Sequence, residues 1–299
     1  MTLHLAIIGT TGQLARALNR TSKTAGYQVT ALSRSELDLT WEEGRIADVI
    51  DALPSSIDVV IIAAAYTAVD AAEDDEATAF LVNAKAPEYI AKACAARGLP
   101  LVHLSTDYVF NGAATTPYKP DDMPAPINAY GRTKLAGEIA LRDSQARHYI
   151  LRTSWVFDGV GKNFLTTMLR LGQGQFELSI VDDQIGRPTY AGHLAEAVLR
   201  AALHLCRNPD VKGGTHHVTG GGAPVSWAGF AEAIFGVTAD ENPRPVTVKP
   251  IASSAYPTRA ARPKYSVLDM DAFEKKMGYS MPNWQEGLTA ALDQRSLRG

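Results

Sequence analysis

Apolar residues come in short unbroken runs in the first third of the chain: "LHLAII" at 3–8, "QVTALS" at 28–33, "VVIIAAA" at 59–65 and "PLVHLST" at 100–106. These runs lack the apolar–polar alternation of a half-exposed strand, which is the pattern of parallel strands buried on both faces. Between them the apolar positions recur at helical spacing. In "WEEGRIADVIDAL", Ile46, Val49, Ile50 and Leu53 share one face. The stretch "EDDEATAFLVNAKAPEYIAKACAARG" opens acidic and closes at Gly98, as suits a helix N-terminus and a C-cap, and Pro87 predicts a kink or break within it. Such alternation predicts an α/β fold, a Rossmann-like doubly wound parallel sheet.

The second half is less regular. "HYILRTSWVF" (148–157) predicts one more strand, "AGHLAEAVLRAALHL" (191–205) a helix, and two further helical patches lie near 226–236 and 283–295. Glycines at 220–222 and prolines between 243 and 263 separate them. We expect residues 1–157, rejoined by 178–206, to form the nucleotide-binding domain. Residues 207–299, with 158–177, then form a smaller C-terminal domain across the carboxyl edge of the sheet.

Composition narrows the classes. Of 299 residues, 46% are hydrophobic and 20% charged, enough for a sizeable core. A net charge of −3 with no Lys/Arg cluster argues against a nucleic-acid partner. The longest apolar run, "VVIIAAAY", is too short to cross a bilayer, and the N-terminus lacks the basic region of a signal peptide. Cys94 and Cys206 sit in apolar helical contexts without metal-ligand spacing, and His216–His217 reads as a polar strand edge. The expected setting is cytoplasmic, with no membrane partner.

Candidate chemistry lies at two places. "IIGTTGQLARAL" sets Gly9 and Gly12 directly after the first strand, with Ala15 three further on. Gly9 permits a tight turn and Gly12 lets backbone approach a pyrophosphate at a helix N-terminus, where free N–H groups attract anions. The second strand ends in Ser33–Arg34 rather than an acidic residue, which suits the 2′-phosphate of NADPH, with NADH the alternative and a solvated arginine the bland reading. Asp38 has two equal readings: a cap for the next helix, or an acceptor for an adenine amine. In "AYGRTKLAGEIA", Tyr130 and Lys134 are four apart and face one way on a helix. A nearby ammonium favours a phenolate, so the pair can serve as a tuned proton donor to a carbonyl. Thr106, in "LSTDYVFNG" at a strand's carboxyl end, is placed to bond the same carbonyl oxygen or the tyrosine.

Together these motifs resemble the extended short-chain dehydrogenase/reductases. "GQLARAL", "AAAYTAVDAAED", "LSTDYVFNG", "YGRTKLAGE", "LRTSWVF" and "VDDQIGRPT" resemble, in order from residue 6 to about 190, the dTDP-4-dehydrorhamnose reductases, with weaker likeness at 262–269 and 283–288. The resemblance implies that Gly12, Gln13 and Leu14 line the cofactor phosphates. It puts Asp38 and Leu39 by the adenine, and Ala65, Tyr66 and Thr67 under the cofactor. It implies Tyr130 as proton donor with Lys134 as its partner, and Thr106 and Asp107 at the sugar. Trp155 would pack on the sugar nucleotide, a core aromatic being the alternative.

The implied activity is NADPH-dependent reduction of the C4 keto group of dTDP-4-dehydro-L-rhamnose, the smaller domain holding the sugar nucleotide. Rivals are a reductase for another dTDP-4-keto-6-deoxysugar and a noncatalytic NADP-binding regulatory subunit. A dehydratase is disfavoured, because Tyr108 rather than Glu follows Asp107. Some members bridge dimers through magnesium held by glutamates. This chain has Gly192 near one such place and only Glu286 and Asp293 in the last helix, so no magnesium site and a monomer or weak homodimer are expected. Arg259, Arg262 and Lys264 are candidates for the substrate pyrophosphate.

Overall fold

A computed structural model describes residues 2–241 and 244–296. The first half alternates strand and helix: β1 (His4–Ile8), α1 (Gln13–Thr24), β2 (Gln28–Leu32), α2 (Glu43–Asp51), β3 (Val59–Ile62), α3 (Val69–Asp74), α4 (Glu76–Phe80), α5 (Ala86–Ala96), β4 (Leu101–Thr106), α6 (Ala129–Asp143) and β5 (His148–Thr153). There follow β6 (Val156–Phe157), α7 (Phe164–Gly172), β7 (Glu177–Val181), β8 (Ile185–Gly186), β9 (Thr189–Tyr190), α8 (Ala191–Arg207) and β10 (Gly213–His217). The chain closes with β11 (Val225–Ser226), α9 (Trp227–Val237), β12 (Thr247–Ile251), α10 (Asp271–Met277) and α11 (Trp284–Ser296).

Six strands form one parallel sheet in the order β10-β5-β4-β3-β1-β2. The fully buried runs Leu5–Ile8 and Val59–Ile62 occupy its middle, so their unbroken apolar character reflects cover on both faces. On one face α1 and α8 supply Leu14, Leu18, Leu194 and Val198. On the other, α2 and α5 supply Ile46, Ile50, Ile90 and Cys94. The order reverses between β1 and β3. At such a switch point the loops leave in opposite directions and open a crevice at the carboxyl edge. A separate core of Phe157, Leu165, Phe230, Trp284 and Leu288 fills the smaller unit.

The sixth strand, β10, comes from the stretch expected in the smaller domain. Its glycines explain the miss: Gly213 and Gly214 supply no apolar pattern, and a Cβ on Gly213 would fall 1.6 Å from the His148 carbonyl oxygen. His216 and His217 lie in this edge strand, yet both are buried: His216 under Phe273 of α10, and His217 on the other face against Phe110 and the Tyr118 carbonyl. Helices α7 and α10 had no sequence expectation.

Two local expectations change. The run 148–157 is not one strand. It breaks at Trp155, whose φ of 49° is left-handed and costly for a bulky side chain. The ring stacks flat on Trp227 of α9, with centroids 3.5 Å apart, and so fastens the smaller unit to the end of β5. The break expected from Pro87 is present, displaced by a few residues from the proline, which stands in the first turn of α5. The irregularity lies just before it, as a single π turn at Leu81–Lys85. Pro87 offers no N–H to the Asn83 carbonyl four residues back, and that carbonyl instead abuts Gly137 of α6, where a Cβ would come within 2.1 Å.

Candidate active site

A cleft of about 730 Å³ opens at the switch point, within the range of small-molecule sites. Its floor is the β1–α1 turn. Gly9 adopts φ +110°, a conformation that L side chains avoid, and donates its N–H to the Leu32 carbonyl at 2.8 Å. Gly12 is the N-cap of α1 without any side-chain cap bond, and an added Cβ there would meet only the Ala63 carbonyl, at 3.9 Å. The first N–H groups of α1 therefore face open cleft with no acidic side chain in that turn. All twelve residues expected to hold the cofactor line this one cleft: Gly9, Gly12, Gln13, Leu14, Arg34, Asp38, Leu39, Ala65, Tyr66, Thr67, Tyr130 and Lys134. The cradle that glycine leaves, and the buried Gln13 Oε1 and Thr153 Oγ1 that find no partner, fit a polar dinucleotide.

At the end of β2, Arg34 is 82% exposed and its Nε donates to Asp38 at 3.0 Å. Asp38 caps neither neighbouring helix; Glu42 is the N-cap of α2. Its carboxylate instead accepts from the Thr40 N–H at 2.9 Å and the Thr40 hydroxyl at 2.8 Å. Burial pushes its pKa up, but these bonds and Arg34 outweigh it and hold the carboxyl below the usual range. Ser33 donates both its N–H and its hydroxyl to Glu36.

The loop under the cleft is tied to α6 through one side chain. Asn83, in the π turn, accepts the Tyr66 N–H at 2.9 Å, donates to the Tyr66 carbonyl at 3.0 Å and donates to Thr133 at 3.1 Å. Helix α6 starts at Asn128, whose side chain accepts the Gly131 N–H at 2.7 Å and donates to the Ala261 carbonyl at 2.8 Å. Gly131 permits close approach: a Cβ would strike the Tyr108 carbonyl at 2.1 Å. The Tyr130 ring consequently meets the Tyr108 ring edge-on at 5.7 Å.

Thr106 comes beside Tyr130 as expected. Its hydroxyl donates to Asp107 at 2.9 Å and accepts the Tyr108 N–H at 3.2 Å. Burial pushes the Tyr130 phenol up to about 12, with Thr106 pulling the other way. Burial also lifts Asp107 to about 6, against hydroxyls of Ser266 and Thr106. Lys134 falls to about 8 because burial disfavours its ammonium, opposed by Glu138. The expected lowering of the tyrosine by the lysine is not found: the group that opposes burial at Tyr130 is Thr106, and Lys134 is turned to His103 and the Leu104 carbonyl. A phenol in this setting stays protonated at neutral pH, the state a proton donor needs.

Thr106, Asp107 and Trp155 do not line the cleft itself. Thr106 and Asp107 are buried at its end, and Trp155 lies beyond, against Trp227. Two of the pyrophosphate candidates are already engaged. Arg262 forms a bidentate pair with Asp70 of α3, at 2.7 and 3.1 Å, and Arg259 pairs with Asp74. Sequence reasoning missed His103, Asn83, Glu138 and Arg152, which support the site from behind, and it gave Ser105, which lines the cleft, no role. The two-residue spacing of His103 and Ser105 on β4 shows that they share a face, but not what that face meets. Among the described residues, no group of three or more His, Cys, Asp or Glu side chains could hold a metal ion, and no helix is long and apolar enough to cross a membrane.

Comparison with known proteins agrees with this geometry. The family model described as RmlD substrate binding domain matches residues 3–297. The chain is 40% identical to the dTDP-4-dehydrorhamnose reductase of Sinorhizobium fredii, over 95% of each chain. It is 37% identical to that of Escherichia coli, over 98% of each. Among solved structures, the dTDP-4-dehydrorhamnose reductase of Bacillus anthracis in complex with NADP superposes with a TM-score of 0.89 at 34% identity, covering 98% of this chain and 100% of that one. The chain belongs to the RmlD family, that of the dTDP-4-dehydrorhamnose reductases.

Proposed function

We propose that the protein reduces the C4 keto group of dTDP-4-dehydro-L-rhamnose with NADPH, giving dTDP-L-rhamnose. The observation that carries this reading is the convergence of the Gly9–Gly12 turn, Tyr130 and Lys134 on one cleft at the sheet's switch point. When bound, NADPH would supply the hydride for the carbonyl carbon. Backbone N–H groups of the first α1 turn would hold the pyrophosphate, Ala65, Tyr66 and Thr67 would border the cofactor, and Arg34 would meet the 2′-phosphate.

The phenol of Tyr130 gives its proton to the carbonyl oxygen, so the product is a neutral alcohol and no alkoxide is left in a dry site. Thr106 steadies that oxygen and the phenol together. The Lys134 ammonium bonds the nicotinamide ribose and offsets the negative charge left on Tyr130, which then recovers a proton from solvent. Asp107 and Trp155 contact the sugar. The substrate end is a dTDP-linked 4-keto-6-deoxy sugar, and the protein works in the cytoplasm as a monomer or weak homodimer.

The test follows NADPH oxidation with enzymatically made dTDP-4-keto-6-deoxy-L-mannose, with the product identified by NMR. Tyr130→Phe should lower kcat by about 10²–10⁴-fold while NADPH binding survives, the usual range for a general acid. A near-normal rate in that variant would remove Tyr130 as donor. Tight NADPH binding without oxidation in the wild type would favour a regulatory subunit.

A further inference from the structure

Lys134 does not stand alone in its wall. On β4, His103 and Ser105 are two apart and so point to the same face. On α6, Lys134 and Glu138 are four apart and likewise share a face. These faces meet. Ser105 donates to Glu138 at 2.6 Å, and Lys134 Nζ lies 3.2 Å from His103 Nε2 and donates to the Leu104 carbonyl at 2.6 Å. His103 is 1% exposed and Lys134 2%.

From this geometry we infer that His103 is a positioning residue for the reduction: its neutral imidazole accepts an N–H of the Lys134 ammonium and so aims the lysine into the cleft. This inference rests on the function proposed above.

The donor count supports it. An ammonium carries three N–H groups and no acceptor, so His103 Nε2 must be the acceptor when Lys134 is charged. Leu104 and His103 take two of the three donors, which leaves one for the cleft that Lys134 lines. The imidazole proton must then sit on Nδ1, which is buried without a partner. That tautomer leaves a buried donor unpaired, a cost the fold bears at this position.

The charges around the pair agree. Burial, the Lys134 ammonium and His148 of β5 all hold His103 neutral. Glu138, one turn along α6, favours the ammonium, and it is itself bound by Arg152 of β5 and Arg142 of α6. Tyr130, Tyr108 and Asp107 are further titratable groups at this end of the cleft. A hydrogen bond to the charged form of a group favours that form. Removing the His103 acceptor should therefore make Lys134 lose its proton at lower pH.

The experiment has three parts. In the wild type, ¹⁵N NMR of the imidazole at pH 7 should show protonated Nδ1 and bare Nε2. In His103→Leu, the alkaline limb of kcat/KM, and the pH at which NADPH affinity is lost, should move down by about one pH unit, tenfold in ionised fraction. In His103→Gln, whose side-chain oxygen reaches the same point, the limb should return towards the wild-type position. A wild-type imidazole protonated on Nε2 overturns the inference without any variant. So does a His103→Leu limb at the wild-type pH, or a His103→Gln limb displaced as far as that of His103→Leu. A merely structural role would lower the melting temperature and leave the limb in place. Should the wild type fail to reduce the keto sugar, the proposed function falls while the tautomer and the NADPH titration still decide the role of His103.

Discussion

The two ends of the cleft are built from different materials. The nucleotide end is made of backbone: a glycine turn, the open first turn of α1, and charged side chains that stand in water, with Arg34 82% exposed. The chemical end is made of buried polar side chains that hold one another. Glu138 accepts from Ser105, from Arg152 through two nitrogens at 2.8 and 2.7 Å, and from Arg142 at 2.6 Å. Arg152 also donates to the Pro120 carbonyl. The difference teaches where function and stability are coupled. Damage to the nucleotide end should cost cofactor affinity alone, whereas damage to the chemical end should cost the fold as well as the rate.

Glu138→Ala gives the strongest test of that contrast. It leaves Arg152, 1% exposed, without its carboxylate, and a buried charge stripped of its partner typically costs about 3–5 kcal/mol. Chemical denaturation should show a loss of that size, together with a fall in kcat as β4 and α6 lose their tie at Ser105. A stability loss within about 0.5 kcal/mol, the range of ordinary surface changes, would mean that the network is not what holds this end together.

The same contrast explains what was legible in the sequence. The nucleotide end depends on glycine placement after an apolar run, and both are local features. The first four strands and the Gly9–Gly12 turn therefore emerge from pattern alone. Tyr130 and Lys134 were visible because a four-residue spacing is also local. The supports behind them were not, because each is a contact between distant segments. His103 meets Lys134 across 31 positions and Ser105 meets Glu138 across 33, and neither helix nor strand periodicity marks such a partner. Strand β10 was hidden for another reason. Its glycines and histidines carry no hydrophobic signal, and its place in the sheet comes from pairing with β5. At Trp155 the pattern misled, because an apolar run reads as a continuous strand whether or not the backbone turns over to reach Trp227.

Acid offers a second way to separate the two ends. Burial holds His216 down to about 4 and, with Arg152 nearby, His217 down to about 3, and His103 is lowered in the same sense. An unfolded histidine titrates near ~6.5. Below that pH the unfolded chain binds more protons than the folded one, so stability falls as pH falls, by about 1.4 kcal/mol per unit for each such group. Asp107 opposes this, since its raised pKa lets the folded state take a proton first. His148, His193 and His204 are lowered in the same sense and Asp158 is raised like Asp107, so the histidines outnumber the aspartates and the net effect is a loss of stability between pH 7 and pH 5. Denaturant midpoints at the two pH values should show it, and hydrogen exchange should rise first in β4, β5 and β10 rather than in β1. A midpoint that is flat or rising towards pH 5 would show that these histidines are not held neutral by the fold.

The smallest effect is expected at the nucleotide end. Arg34 is exposed and already shared with Asp38, so its contact with a 2′-phosphate is worth about 1 kcal/mol, roughly fivefold in affinity. Arg34→Ala should raise the Kd for NADPH by that factor, leave NADH binding unchanged, and leave the melting temperature where it was. Because the contact lies in water, the gap between wild type and variant should also shrink as salt is raised, as the Debye length falls from ~10 Å at 0.1 M to ~3 Å at 1 M. Ser33 makes this measurement sharper, because its N–H and hydroxyl are committed to Glu36. Equal weakening of NADPH and NADH would instead place Arg34 against a part common to both cofactors, and the preference would have to arise elsewhere in the turn.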